Sequence, residues 1–136
     1  MNTESLFDVW QDSIMGERIV SVSGIINTLI DVNSNSKRNY EYVQIELENN
    51  FVLTVTGVVE TDELECGYSM VSNRSSNIIN VAELEHYIGE RLVWIWTARN
   101  INKYNDLVSF GINDIMPSFL FVGLAGGLEI LLIREA

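Results

Sequence analysis

Acidic side chains are the residues whose number and spacing in this chain best indicate a chemistry. The stretch from Asn39 to Asn73 contains no lysine or arginine and supplies −7 of a net charge of −11. Its seven acidic residues are Glu41, Glu46, Glu48, Glu60, Asp62, Glu63 and Glu65. A concentrated acidic surface attracts a cationic partner and repels nucleic acid. Since the pI is about 4.3, we predict a basic protein partner and no nucleic-acid partner.

Nucleophilic catalysis would depend on two residues, because the chain has one histidine and one cysteine. His86 would have to serve any Ser-His-Asp or Cys-His arrangement, but its helical position predicts a solvent-facing side chain. Cys66 follows Glu65, whose charge disfavours a thiolate, so we expect a half-buried structural cysteine. Motifs of nucleotide-binding loops, zinc proteases and serine hydrolases are missing. We therefore predict no enzymatic activity and no cofactor.

A calcium site is suggested and then excluded by the residues after the first strand. Asp31, Asn33 and Asn35 occupy the first, third and fifth positions of a calcium-binding loop. Ser36 stands where that loop requires glycine, and Tyr42 where it requires a bidentate glutamate. Clustered carboxylates at positions 60–65 attract hard cations only loosely. We predict no metal site.

A helix and a long strand are the first elements predicted. Thr3 is a suitable N-cap, and Gly16 stands where the helix should end. The apolar face of this helix consists of Leu6, Phe7, Trp10 and Ile14. Dense β-branched residues from Glu17 to Val32 predict one long strand that bends at Gly24.

The acidic stretch begins with a predicted hairpin. Residues 40–48 alternate, with Val43, Ile45 and Leu47 on one face and Tyr42, Gln44, Glu46 and Glu48 on the other. Asn49-Asn50 predicts a turn into a strand from Phe51 to Val59. We favour a loop one residue longer than a two-residue turn, because it places Leu53 and Val55 beside Leu47 and Ile45 and gives one polar face.

The rest of the chain predicts further strands and one short helix. Asn80 and Glu83 resemble a capping box for a helix whose apolar face is Val81, Leu84 and Ile88 and which ends at Gly89. The predicted strands are Cys66 to Val71, Arg91 to Arg99, Leu107 to Ile112, Phe119 to Leu124 and Leu128 to Ile133. The strand after Arg91 is apolar on both faces, as a central strand would be. The last two strands pair across Gly126-Gly127.

These elements predict an α+β fold in one domain, residues 1–136. Its centre is a curved antiparallel sheet or open barrel of about seven to eight strands, with an N-terminal helix and one short central helix. The longest apolar stretch, Phe119 to Ile133, is 15 residues long and contains Gly126, Gly127 and Glu129, so we predict no membrane span. The lone Cys66 and the acidic N-terminus, without a secretion signal, predict a cytoplasmic protein.

Part of the chain resembles a known group of proteins. Trp94-Ile95-Trp96, the turn from Asn100 to Tyr104 with Asp106, and the strands Leu107 to Ile112 and Phe119 to Ile133 resemble the C-terminal half of a family of small bacterial proteins of unknown function. That resemblance covers roughly the last third of the chain and implies no catalytic residue. In size, acidity and β content the chain is also similar to immunity proteins of bacterial toxin systems, which inhibit a cognate toxin by binding it.

Three functions follow as hypotheses. The first is a non-enzymatic binding protein, of which an immunity or inhibitor protein is one form, that binds a basic partner. Its binding residues would be Tyr42, Glu46, Glu48, Glu60, Asp62, Glu63 and Glu65. The second is a small-ligand-binding protein or enzyme with a pocket in the curved sheet, lined by Trp94, Trp96, Tyr104 and Phe110. The third is a homodimer or other homo-oligomer that buries the apolar hairpin from Phe119 to Ile133.

Overall fold

The protein is built mostly of β-strands. The computed structural model describes residues 6–27, 38–58, 61–103, 105–124 and 126–133. Within these ranges the strands are β1 (Ile19–Ile26), β2 (Asn39–Leu47), β3 (Val52–Gly57), β4 (Leu64–Ser69), β5 (Ile79–Asn80), β6 (Leu92–Arg99), β7 (Asn105–Ile112), β8 (Phe119–Leu124) and β9 (Gly127–Leu132). The helical pieces are an α-helix (Leu6–Val9), a π-helix (Trp10–Ile14) and a 3₁₀ helix (Ala82–Tyr87).

The strands form one curled antiparallel sheet with the shape of a half-barrel. Seven strands follow one another in the order β4-β3-β2-β9-β8-β7-β6, and β1 pairs with β2 and with the short β5. The predicted curved antiparallel sheet is therefore confirmed. Strands with β-branched residues and period-two alternation favour this arrangement, because one face of each strand can be buried on the concave side.

The curl brings the start of β6 back to the residues before β1. Arg18 and Arg91 form an isolated antiparallel bridge. Beside it, the Ile19 N–H donates to the Glu90 carbonyl and the Leu92 N–H to the Glu17 carbonyl, both at 2.9 Å. These bonds join two segments that lie far apart in the sequence, so they tie the N-terminal part of the chain to its second half.

The prediction that β6 is a central strand was wrong, because β6 ends the seven-strand path. The N-terminal segment covers only part of its second apolar face, since Trp94 is still 40% exposed. The Trp10 and Trp94 rings meet edge to face with centroids 6.1 Å apart. A strand can thus be apolar on both faces at the end of a sheet when a helix packs on it.

The N-terminal helix is shorter and wider than predicted. One turn of α-helix continues as a π-helix, in which the Met15 N–H donates to the Trp10 carbonyl at 2.8 Å. Its final residue, Ile14, is fully buried, and Gly16 follows with φ +85°. Glycine at that position ends the helix, as predicted, since L-residues with side chains rarely adopt positive φ. Thr3, the predicted N-cap, lies outside the described residues.

The β2–β3 hairpin has the longer loop that the sequence favours but a different pairing. Ile45 pairs with Leu53 and Val43 with Val55, two residues away from the predicted partners. Residues 48–50 form the loop, and Asn50 has φ +74°. A three-residue loop with its last residue in the left-handed region is a common hairpin connection. The apolar and polar faces remain as predicted, because a shift of two residues preserves the alternation.

The predicted short central helix is present as a 3₁₀ helix, and its buried face differs from the predicted one. Its spacing of three places Val81, Leu84 and Tyr87 in the core, whereas Ile88, predicted to be on the apolar face, is exposed. Asn80 belongs to β5, and the helix begins without a side-chain cap. The predicted capping box is therefore absent.

Aromatic side chains fill the concave side of the second half of the sheet. Phe110, Phe119 and Phe121 are fully buried, with ring centroids 5.1 to 5.6 Å apart, and Tyr87 of the 3₁₀ helix stacks against Phe119 at 5.2 Å. Buried aromatic groups of this size contribute much of the stability of a small core.

Glycines allow the two halves of the sheet to approach. β2 and β9 pair only at Asn39 and Tyr40, and a Cβ on Gly127 would collide with the Asn39 side chain and the Tyr40 carbonyl. Leu124 pairs with Gly127, so Gly127, which was predicted to lie in the turn, is the first residue of β9. Gly127 is needed as the first strand residue because no side chain fits there.

Candidate functional site

The outer face of β1 to β4 is polar and continuous across the four strands. Paired residues on this face form three rows, Ser21-Glu46-Val52-Ser69, Ser23-Gln44-Thr54-Gly67 and Ile25-Tyr42-Thr56-Glu65. Residues directly opposite each other in a sheet share a face, so each row runs across it. We call this surface the polar face. It contains three of the residues predicted to bind a partner.

A segment of the chain crosses the polar face. Residues 70–78, here called the strap, connect β4 at one edge with β5, which pairs with β1. Gln44, only 2% exposed, holds the strap. Its Nε2 donates to the Asn73 carbonyl at 3.0 Å, and its Oε1 accepts from the Asn73 N–H at 2.9 Å. The same side chain donates to Ser23 and accepts from the Tyr42 hydroxyl, so every polar atom of Gln44 has a partner.

Glu46 is the acidic residue that the fold holds most firmly. Its carboxylate accepts hydrogen bonds from the hydroxyls of Ser21 on β1 and Ser72 on the strap. Arg74 Nη2 lies 3.9 Å from Glu46 Oε1, and the Glu46 side chain is 21% exposed. Two hydroxyl donors fix the orientation of a carboxylate and leave room for a cation on its remaining lone pairs.

A cleft of about 480 Å³ opens beside the strap, at the end of the hairpin where β2 turns into β3. Its charged groups are Glu46, Glu48 and Arg74. Two buried residues, Leu47 and Val52, also line the cleft. Its remaining lining residues are Val20, Asn50, Met70, Val71 and Ser72. Val20, Met70 and Val71 are each at least 50% exposed. The cleft therefore combines carboxylates with an exposed apolar rim, which suits a side chain that has an aliphatic stem and a cationic head.

The structure brings only some of the predicted acidic residues together. Glu46 and Glu48 both line the cleft. Asp62 and Glu63 lie in the loop at the opposite end of β3, about 20 Å away by the rise of six strand residues. Glu65 is on the polar face beside Thr56, and Glu60 lies outside the described residues. The acidic stretch thus forms two separate regions.

Tyr42 is on the predicted face but is less available than expected. It is half-buried, and its hydroxyl donates to Gln44 at 2.8 Å. Burial, with a smaller effect of the Glu46 charge, raises the pKa of Tyr42. The phenol therefore stays neutral and contributes to holding the strap.

Sequence reasoning missed the strap residues and Val20. No alternation marks the exposed Val20, because the register of β1 shifts between Ile19 and Ser21, and Ile19 and Val22 are both buried although they are three residues apart. Arg74 is the only lysine or arginine between Arg38 and Arg91, and this is a sequence signal that could have identified it. Its contact with Glu46 joins residues that are 28 positions apart, and no local pattern predicts such a pairing.

The other candidate residues are not assembled into a reactive site. His86 is exposed, as predicted, with its ring 4.1 Å from that of Tyr87. Burial raises the pKa of Cys66 to about 12, so the thiol stays protonated at neutral pH. In the part of the chain that the structure describes, no three His, Cys, Asp or Glu side chains are grouped to hold a metal. Asp31, Asn33 and Asn35 lie outside it.

The predicted aromatic pocket does not form from its described members. Phe110 is fully buried and packs on Phe119 and Phe121. Trp94 and Trp96 pair with Gly111 and Ser109, the residues that flank Phe110 and point to the opposite face of the sheet. Tyr104 lies outside the described residues. Phe110 is thus part of a filled core, which leaves the two tryptophans on the outer surface.

The outer face of β6 to β9 is apolar. Its rows of paired residues are Trp96-Ser109-Leu120-Leu131 and Ala98-Leu107-Val122-Glu129. Leu120, Val122 and Leu131 are half-buried, whereas Leu124 and Ile133 at the two ends of the hairpin are exposed. We call this surface the apolar face. It contains the outer side of the hairpin that the homodimer hypothesis names.

Comparisons with known proteins identify a family but no characterised relative. The chain matches the model of a family of unknown function (DUF6334) over residues 1–136. No curated protein and no solved structure matches it. Among the described residues, no helix has both the length and the apolar character needed to cross a membrane.

Proposed function

Because the chain belongs to the family of unknown function DUF6334, we propose its function from the geometry of the cleft. The protein is a non-enzymatic binding protein, and the cleft receives a basic segment of a partner protein. One observation supports this most directly, namely that Glu46 and Glu48 line a cleft whose rim is the exposed Val20, Met70 and Val71. Carboxylates select for positive charge, while the apolar rim adds contact area.

Charged residues outside the cleft speed the association with the partner. With 19 acidic and 8 basic residues, the protein attracts a basic protein over a distance comparable to the Debye length. Asp62 and Glu63, at the far end of β3, contribute to this attraction without lining the cleft. Charges at the rim of an interface mainly change the association rate and its salt dependence, and buried contacts mainly change dissociation.

An immunity or inhibitor protein is the form of this function that we propose. The similarity in size, acidity and β content to immunity proteins of bacterial toxin systems supports it, because those proteins act by binding alone. The proposal includes the cytoplasmic location predicted from the single cysteine, whose buried thiol needs no disulfide partner.

Affinity capture followed by measurements with the purified partner tests this proposal. The wild-type chain should retain a basic protein at low salt and release it at high salt. Glu48→Lys should weaken binding about tenfold or more, since it places a like charge in the cleft. Asp62→Lys makes the same change of charge at the far loop and should reduce affinity only a few-fold, mostly through the association rate. Equal losses in both variants, or unchanged binding in Glu48→Lys, would overturn the proposal.

Self-association through the apolar face is a second candidate. Leu124 and Ile133 are exposed at the two ends of the β8–β9 hairpin, and the outer face between them carries one ionisable side chain, Glu129. Two chains of net charge −11 can approach most easily through a surface with little charge. Light scattering should show a dimer that Leu124→Lys, a change on the outer face, converts to a monomer. A monomeric wild-type chain would rule this candidate out.

A further inference from the structure

The strap carries a cationic group into the cleft that we propose as the binding site. Arg74 is 83% exposed, yet its Nη2 lies 3.9 Å from Glu46 Oε1. This separation is at the outer limit for an ion pair, and exposed pairs of this kind add little or nothing to stability. We infer that Arg74 is a built-in occupant of the cleft, and that the partner presents an arginine whose guanidinium displaces it from Glu46. This inference rests on the proposed function of the cleft.

Glu46 is prepared to receive a cation. The Ser21 hydroxyl comes from β1 and the Ser72 hydroxyl from the strap, and both donate to its carboxylate. Because the side chain is mostly buried, its orientation is fixed before a partner arrives. A carboxylate that is already oriented and partly desolvated binds a donor without further ordering. Glu48, in contrast, is an exposed carboxylate at the edge of the hairpin.

The lining of the cleft favours arginine over lysine. Val20, Met70 and Val71 offer exposed apolar surface beside the carboxylates, and the three methylenes of an arginine stem can lie on it. A guanidinium is planar and more weakly hydrated than an ammonium, so it loses less on entering a partly apolar cleft and forms two parallel bonds to a carboxylate. Arg74 shows that a guanidinium reaches this position.

Displacement of Arg74 should be easy. The side chain is mostly in solvent already, and among the described residues its one ion pair is the long contact with Glu46, so release returns it to water with little loss. The strap itself stays in place, because Gln44 holds it through the backbone of Asn73 and not through Arg74. Arg74 therefore acts as a weak internal competitor, and its removal should raise affinity for an arginine ligand about two- to fivefold.

A peptide titration followed by amide NMR tests the inference. The probe is an acetylated, amidated pentapeptide with the sequence Gly-Leu-Arg-Leu-Gly, compared with versions in which lysine or the uncharged isostere citrulline replaces arginine. The proteins are the wild type, Arg74→Gln and Arg99→Gln. The last variant is a matched control, because Arg99 is exposed at the end of β6 and its loss changes the net charge equally.

The expected result is that the arginine peptide shifts amide signals of residues 70–74, and that it binds Arg74→Gln two- to fivefold more tightly than the wild type or Arg99→Gln. The lysine peptide should bind more weakly. Equal affinity for all three proteins, or equal affinity for the arginine and lysine peptides, would overturn the inference while leaving the cleft as a site for cations. If the citrulline peptide bound as well as the arginine peptide, or if neither bound, the proposed function of the cleft would itself be wrong.

Discussion

The polar face of β1 to β4 and the apolar face of β6 to β9 belong to one curled sheet but differ in what holds their surface side chains in place. On the polar face a segment of the chain returns across the strands, where Gln44 donates to and accepts from Asn73 and Glu46 accepts from Ser72. On the apolar face Leu120, Val122 and Leu131 lie side by side. The first surface is fixed by directional bonds and the second by side-chain packing alone.

This difference determines what each surface can do. A buried amide such as that of Gln44 requires every partner to be in place, so the polar face and its strap have one well-defined arrangement. Carboxylates positioned by such a network can recognise a specific cation. Packed aliphatic side chains impose no such geometry, and they favour contact with another apolar surface. We therefore propose selective recognition for the first half of the sheet and self-association for the second, whose concave side forms the aromatic core.

The largest effect is expected on the concave side of the apolar half. Phe121→Ala should lower the free energy of unfolding by about 3 to 5 kcal/mol, because a fully buried ring between Phe110 and Phe119 is replaced by a cavity. Val122→Ala, at the next position on the apolar face, should lower it by about 1 kcal/mol or less. Urea denaturation measures both. A similar loss in the two variants would mean that the apolar face is as buried as the core.

Removal of the amide that holds the strap should have the next largest effect. Gln44→Ala leaves the Asn73 N–H, the Asn73 carbonyl and the Ser23 hydroxyl without their present partner. We expect a loss of about 2 to 3 kcal/mol and faster hydrogen exchange at the Asn73 amide. Thr54→Ala, beside Gln44 in the same row, serves as the control and should leave that exchange unchanged. Unchanged exchange in Gln44→Ala would contradict the role of the strap.

The smallest effect on stability is expected at Tyr40, where β2 pairs with β9, and only at alkaline pH. Burial and the hydrogen bond to Glu83 raise the pKa of Tyr40 to about 12, against an ordinary value of 10. Since the folded protein holds this proton more tightly than the unfolded chain, the contribution is complete below pH 10 and is lost as the pH rises from 10 to about 12. The urea midpoint should fall over that range.

Tyr40→Phe isolates this contribution, and it should be measured together with Cys66→Ala. The pKa of Cys66 is also raised by burial to about 12, so its thiol adds to the alkaline loss. The double variant should lose less stability between pH 9 and pH 12 than the wild type does. An equally steep alkaline loss in the double variant would show that other groups cause it.

Local patterns predicted the elements well where a single face decides the structure. The alternation from Val43 to Leu47 correctly placed the apolar and polar faces of β2, because one set of side chains must enter the core. It did not reveal that Gln44 is buried on the polar side, since the strap that covers it begins 26 residues later. The length of the hairpin loop was predicted correctly, whereas its register depends on which residue adopts the left-handed conformation.

The remaining errors arise where the tertiary structure decides between local alternatives. Val81, Leu84 and Ile88 fit an α-helical face, but a spacing of three buries Tyr87 instead, because its ring packs on Phe119. The apolar faces of β6 suggested a central strand, because the sequence does not show that Trp10 packs on Trp94. The sequence predicted Glu46 and Glu48 as binding residues but not the cleft that they line, because the strap residues join it by long-range contacts.

The pairing of β2 with β9 has a consequence for the order in which the chain becomes structured. Asn39 meets Glu129, so a ribosome must synthesise 90 further residues before the partner of this strand exists. The β2–β3 hairpin can pair early, whereas the first residues of β2, Asn39 and Tyr40, have no β9 partner until much later. Contacts of such long range make folding slow and leave strand edges exposed to other chains for that time. During synthesis, the strong negative charge of the first half opposes association between such unfinished chains.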